Sequence, residues 1–252
     1  MRKIIAATSQ KGGGGKSTIA RNLGVMRAAA GKKICLIDSD DNQHSIDKWY
    51  TRREDFKITK EADYNGLFNL VVENSDYISG VIDKAFATGC DTVIVDLPGR
   101  MDAPLAEMLL KADIALCPLS GSPDDYSVLP YMRELVERAA KYKDNATLHV
   151  IHNKASTNAR RREAEYEDLK YQCSKSERLI LSPYYFTDVV AFDDAAKYGL
   201  ALFEYADIKN SYINYTNQNI VNFKKLYEFI WQETWEKQHK VIENGAEILA
   251  TA

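Results

Sequence analysis

Gln10 to Thr18 read Gln-Lys-Gly-Gly-Gly-Gly-Lys-Ser-Thr, shortly after the apolar run Ile4-Ile5-Ala6-Ala7. Glycines let the backbone adopt φ > 0 and aim successive N–H groups at one point. Lys16 and Ser17 then stand where a helix would begin, and a helix N-terminus favours an anion through its dipole and its free N–H groups. A strand, a glycine turn, a lysine and a hydroxyl in that order make a site for a triphosphate and Mg²⁺. Backbone N–H groups of Gly12, Gly13, Gly14, Gly15, Lys16, Ser17 and Thr18 would hold the phosphates. Lys16 would bridge the β- and γ-phosphates, and the Ser17 hydroxyl would ligate the metal. The strict form of this motif needs glycine where Gln10 stands. The sequence fits a variant, Lys-Gly-Gly-x-Gly-Lys-[Ser/Thr], with an additional lysine at Lys11. Three aspartates supply the opposite charge. Asp96 follows the apolar run Thr92 to Val95 and would hold the metal through water, or else cap the following turn. Asp38 and Asp40 follow Lys33 to Ile37, where a carboxylate can serve the reaction or cap the next helix.

These residues converge only if particular elements carry them. Runs rich in Ile, Val and Leu near 3–8, 33–38, 92–96, 113–117 and 147–152 do not alternate, as suits strands buried on both faces. Helical patterns fall between them at 17–30, about 76–87, 103–111, 125–142 and 157–172. The spacing predicts an α/β fold, an open, mostly parallel sheet with helices on both faces. Ligands of such sheets bind at the carboxyl ends of the strands, where Ser9, Asp38, Asp96 and Pro118 are expected. No linker or repeat divides the chain, so one domain over residues 1–252 is expected, with a helical C-terminal segment about 209–243. Tyr212, Tyr215, Phe223, Tyr227, Phe229, Trp231 and Trp235 stud that segment, as core or as a partner face.

Composition narrows the setting. The 252 residues are 45% hydrophobic and 27% charged, which suits a globule with a sizeable core. No apolar run approaches the length of a membrane span, and Ser9-Gln10-Lys11 breaks the N-terminal run too early for a signal peptide. Cys35, Cys90, Cys117 and Cys173 lie far apart, and Cys35 and Cys117, within apolar strand-like runs, read as buried free thiols of a reducing, cytoplasmic setting. With a net charge of −3, any nucleic-acid contact must come from a local patch, of which Arg160-Arg161-Arg162 is the densest. That run also suits a solvated helix face.

From Lys11 to Ser17 the chain resembles the ParA/MinD family of P-loop ATPases, the deviant Walker A group. The likeness continues through Asn22-Leu23-Gly24, Gly31 to Asp40, Asp91 to Gly99 and Ala112 to Pro118, and more weakly through Ala195 to Glu204 with Gly199. Gln10 is similar to the ParA-like branch. The resemblance implies a Mg²⁺-dependent, slow, partner-stimulated ATP hydrolase. It implies an ATP-dependent homodimer in which Lys11 reaches the partner's phosphates. Asp40 would position the attacking water, and Asn153, with Pro183 beside it, would read adenine. It further implies non-specific DNA as the surface, a small ParB-like or adaptor protein as stimulator, and plasmid or chromosome partition or cargo positioning as the output.

The sequence also departs from the family. Asp40-Asp41-Asn42-Gln43 stands where Asp-Pro-Gln is usual, and Asp188-Val189-Val190 stands where many ParA proteins carry an arginine. Two other readings therefore stay open: a MinD-like switch that binds a membrane surface, and an ATP-gated scaffold that hydrolyses very slowly. The stretch from Lys240 to Ala252 has few cations for an amphipathic membrane helix. No cysteine follows Asp96 closely enough to suggest the iron–sulfur relatives of this class.

Overall fold

The computed structural model describes residues 2–9, 12–40, 43–56, 64–73, 77–99, 103–209 and 214–238. Among them the chain runs β1 (Lys3–Ala7), α1 (Lys16–Ala29), β2 (Ile34–Asp38), α2 (Ser45–Asp55), β3 (Phe68–Val72), α3 (Ile78–Ala87), β4 (Thr92–Asp96) and α4 (Ala103–Lys111). It continues with β5 (Ile114–Leu119), α5 (Pro123–Tyr126), α6 (Leu129–Ala140), β6 (Leu148–Ala155), α7 (Ala159–Cys173), β7 (Leu179–Thr187), α8 (Ala191–Lys197), α9 (Leu202–Lys209) and α10 (Asn214–Trp231). The strands form one seven-stranded sheet in the order β3-β2-β4-β1-β5-β6-β7, and its ladders are parallel. This is the expected α/β class.

Successive strand residues face opposite cores. Ile34, Leu36, Ile5 and Ile94 pack with α1, α2, α9 and α10 on one face. Cys35, Ile37, Val93 and Val95 pack with α3, α4, α6 and α7 on the other. With apolar partners on both sides, alternation has no polar phase, and each fully buried aliphatic side chain contributes about 1.5–3 kcal/mol. The four cysteines are free and buried.

Two strands fall outside the five predicted runs, and both lie at sheet edges. β3 reads Phe-Asn-Leu-Val-Val, with Asn69 breaking the run. β7 contains Pro183 at a register shift between Val150 and His152 of β6, and proline without an N–H is tolerated in a sheet only at such an edge or bulge. The polar helix α2 was not predicted either. The predicted helix 125–142 is two, α5 and α6, and strand β6 extends past 152 to Ala155. In the C-terminal segment helix spans Asn214–Trp231, residues 232–238 are not helical, and 239–243 lie outside the described residues. Phe223, Tyr227 and Trp231 are buried core. Arg27 of α1 donates to Tyr227 (2.6 Å), to Thr92 (3.2 Å) and to Glu233, fastening α10 to the sheet. No described helix is long and apolar enough to cross a membrane.

Strand order reverses beside β1. The chain leaves β1 toward β2 on one side, and after β4 it crosses to β5 on the other. A crevice opens at such a switch point outside the strand carboxyl ends. The glycine loop and Asp96 lie there.

Candidate nucleotide site

β1 delivers the chain into the loop through Thr8 and Ser9, both buried, with Thr8 N donating to Leu116 O at 2.8 Å. Lys11 and Gln10 lie outside the described residues. Gly13 (φ 79°) and Gly15 (φ 94°) take left-handed backbone that side chains disfavour. Gly15 starts α1 with no side-chain cap, so the first-turn N–H groups keep their capacity for an anion. A Cβ on Gly15 would lie 2.1 Å from Asn153 Nδ2. That amide donates to Gly14 O at 2.8 Å and ties β6 to the loop. Asn153 thus lies within β6 rather than after it, with one amide N–H engaged with the loop. Pro183 sits exposed in the middle of β7.

Lys16 is buried at the head of α1. Ser17 Oγ donates to Asp96 Oδ2 at 2.6 Å, joining the end of β4 to the helix start. Asp96 is 1% exposed, and its Oδ1 has no hydrogen-bond partner. Burial pushes its carboxyl up to about 7, with Asp38 and Asp40 adding repulsion while Ser17 and Lys16 oppose the rise. A buried carboxylate with an unmet oxygen beside a hydroxyl is the donor set that Mg²⁺ uses when phosphates and waters complete its shell. Among the described residues no three His, Cys, Asp or Glu side chains group to form an all-protein metal cage. The residues present therefore fit a metal brought with phosphate.

Of the two other aspartates, one is engaged as a helix cap and the other accepts from the segment that follows it. Asp38, 1% exposed, accepts at Oδ2 from Ile46 N (2.9 Å) and Asp47 N (3.0 Å), and at Oδ1 from Asp40 N (3.2 Å). It is the helix-capping carboxylate for α2, acting from eight residues upstream. Burial raises its carboxyl above the usual value, and the N–H donors oppose this. Asp40 is half-buried, and its Oδ1 accepts from Gln43 N at 3.2 Å. Gln43 Nε2 lies 3.4 Å from where a Cβ on Gly12 would be, so the Gln43 side chain lies against the loop. Ser39 donates both N (3.1 Å) and Oγ (2.7 Å) to Asp96 O, fastening the ends of β2 and β4 together.

Sequence reasoning also missed what holds α2 in place. Arg53, 1% exposed, donates through both terminal nitrogens to Glu204 at 2.8 Å, and once more to Gly199 O at 3.0 Å. Tyr64 OH donates to the same carboxylate, as does Ala201 N (2.7 Å). Burial works against both charges. Even so, Glu204 holds the guanidinium above its ordinary value, and Arg53 with Tyr64 holds Glu204 below its own. Gly199 has φ 65°, and a Cβ there would sit 2.2 Å from Arg53 N. The Gly199…Glu204 segment is therefore a socket for α2. The arginine cluster is largely engaged: Arg161 pairs with Glu165 (2.9 Å), and Arg162 donates to Ser156 O (2.8 Å) and stacks on Tyr185. Arg160 is exposed.

A switch-point crevice, a glycine loop leading into a lysine and serine at a helix start, and an aspartate closing the adjacent strand define a P-loop nucleotide-binding protein. Residues 3–162 match the family model described as ATPase MipZ, and the chain belongs to the ParA/MinD family of P-loop ATPases. It is 35% identical over 94 residues to the sporulation initiation inhibitor Soj of Bacillus subtilis, covering 34% of this chain and 37% of Soj. It is 49% identical over 47 residues to the septum site-determining protein MinD of Thermotoga maritima, covering 19% and 17%. To protein ParA of Rhizobium radiobacter it is 28% identical over 149 residues, covering 59% and 62%. The matched stretches span less than two thirds of each relative. In fold, the chain is similar to a plasmid partition protein of Borrelia burgdorferi B31 bound to AMPPNP (TM-score 0.61, 19% identity, 90% of this chain and 98% of that one). It is also similar to Cyanothece McdA in an ATP complex (TM-score 0.67, 16% identity, 94% and 99%).

Proposed function

We propose that this protein is a Mg²⁺-dependent ATPase switch that dimerises around ATP, binds non-specific DNA and positions a plasmid, chromosome or other cargo. The observation that carries this reading is the Ser17–Asp96 bond beneath the uncapped start of α1, with Asp96 Oδ1 left unmet. In the proposed state, N–H groups from Gly12 to Thr18 hold the α- and β-phosphates and Lys16 spans the β- and γ-phosphates. Ser17 and Asp96 hold the metal, which neutralises charge developing on the phosphates. Asp40 orients the attacking water. Lys11 supplies a cation to the partner's nucleotide, which relieves the charge of two buried triphosphates. A small ParB-like or adaptor protein stimulates turnover and releases the dimer from its surface.

Titration with ATP and Mg²⁺, followed by light scattering and duplex binding at stepped salt, tests the reading. ATP-dependent dimers should bind DNA without sequence preference, with a log–log salt slope of about 0.9 per phosphate neutralised. A chain that binds no ATP refutes the site, and ATP-dependent dimers that ignore DNA at low salt refute the surface. A slowly hydrolysing scaffold is the second reading, favoured by the engagement of Asp40 with Gln43 N. Turnover that stays negligible with every partner would select it.

A further inference from the structure

Arg21 stands on α1 four residues after Ser17, which places it on the same helix face about 6 Å further along the axis. Helical side chains lean back toward the N-terminus, here toward the phosphate loop. Arg21 is only 9% exposed, and its buried Nε has no hydrogen-bond partner. The other buried arginines are matched: Arg27 has Glu233, Tyr227 and Trp231, and Arg53 has Glu204 and Trp49. Arg21 forms no ion pair with a described residue. The charges acting on it are Arg52 of α2, which repels it, and Asp193 of α8 and Asp96, which attract it. Burial and Arg52 together bring its pKa down to about 10.

An unmatched buried guanidinium is costly, and an anion relieves that cost. A second unmatched group of opposite sign, Asp96 Oδ1, lies close enough for its carboxylate to act on Arg21. Asp96 attracts Arg21, yet the two do not pair. A metal-bound triphosphate would serve both groups, with its cation meeting Asp96 and its terminal oxygens offering Arg21 a partner. A diphosphate would lack those oxygens.

We propose that Arg21 is a γ-phosphate-binding residue acting within its own subunit, so that the site distinguishes nucleoside triphosphate from diphosphate. The inference rests on the nucleotide site proposed above. Occupation draws the guanidinium along α1 toward Ser17 and converts an unpaired buried charge into a charge-assisted contact.

The test uses the full chain as wild type, Arg21→Met and Arg21→Lys, with Mg²⁺ and either AMPPNP or ADP in calorimetry, plus melting without nucleotide. Arg21→Met should melt higher than wild type, because an unpaired charge is gone. It should lose about 10- to 100-fold in AMPPNP affinity while ADP affinity stays within about 2-fold. Arg21→Lys should recover part of the AMPPNP affinity. Equal weakening of both nucleotides, or a lower melting point with unchanged AMPPNP-to-ADP preference, overturns the proposal and leaves Arg21 a packing residue. A wild type that binds neither nucleotide instead removes the site reading, and the proposal with it.

Discussion

Asp38 and Asp40 stand two residues apart, and the structure predicts opposite consequences for replacing each by alanine. Asp38→Ala removes the acceptor for Ile46 N and Asp47 N at the head of α2 and for Asp40 N. Loss of a helix cap costs about 1–2 kcal/mol, and one buried and one part-buried N–H left without partners place this case at the upper end. Removal of a buried carboxylate near Asp96 offsets a fraction of that. A net loss of about 1–2 kcal/mol corresponds to a melting temperature about 2–8 °C lower for a chain of this size. Asp40→Ala removes one acceptor, for Gln43 N, at a half-buried position, a loss of about 0.5–1 kcal/mol. If Asp40 orients the attacking water, the chemical step slows by about 10²-fold or more, equivalent to about 3 kcal/mol of transition-state stabilisation. Single-turnover hydrolysis of pre-bound ATP, run beside thermal melts of both variants, measures the two quantities separately. Asp40→Ala should be slow and nearly as stable as wild type, accumulating the ATP-bound form. Asp38→Ala should melt early and keep whatever rate its disturbed α2 allows. Wild-type turnover in Asp40→Ala, with the larger melting loss on that variant, would refute the assignment and move the water-orienting role to Asp38.

Three further outcomes follow from named contacts. Gly15→Ala should abolish ATP binding in calorimetry and lower stability by more than about 1 kcal/mol, since its Cβ collides with Asn153 at a backbone φ of 94°. Asp96 has a folded-state pKa of about 7, above its unfolded value, so its ionisation destabilises the nucleotide-free fold. Stability from this group is complete below about pH 4 and is lost as pH rises toward 7, and Asp96→Asn should flatten that part of a pH–melting profile. Mg²⁺ needs the ionised carboxylate, so its affinity should rise through the same window. Arg53→Met should cost about 3–5 kcal/mol by stranding Glu204 in the core, and pairing it with Glu204→Gln should restore much of the melting temperature.

The glycine loop could be read from sequence because its chemistry is local. Contiguous glycines permit the φ of Gly13 and Gly15, and Lys16 and Ser17 follow at a fixed helical offset. Both-face burial likewise showed itself as apolar runs in β1, β2, β4 and β5, and in β6 as a run interrupted by His149 and His152. The edge strands β3 and β7 gave no such run, because an edge tolerates Asn69 and Pro183 where a central strand would not. The polar helix α2 is held by Asp38 before it and by Arg53 against Glu204, 151 residues along the chain. The seat of Asn153 beneath Gly14 and the unmatched burial of Arg21 are likewise set by surroundings distant in sequence. A sequence names the groups able to hydrogen-bond or carry charge. Which partner each meets, and whether water is excluded from it, depends on chain segments brought together only by folding, and in this protein those encounters make Asp38 the aspartate that caps α2.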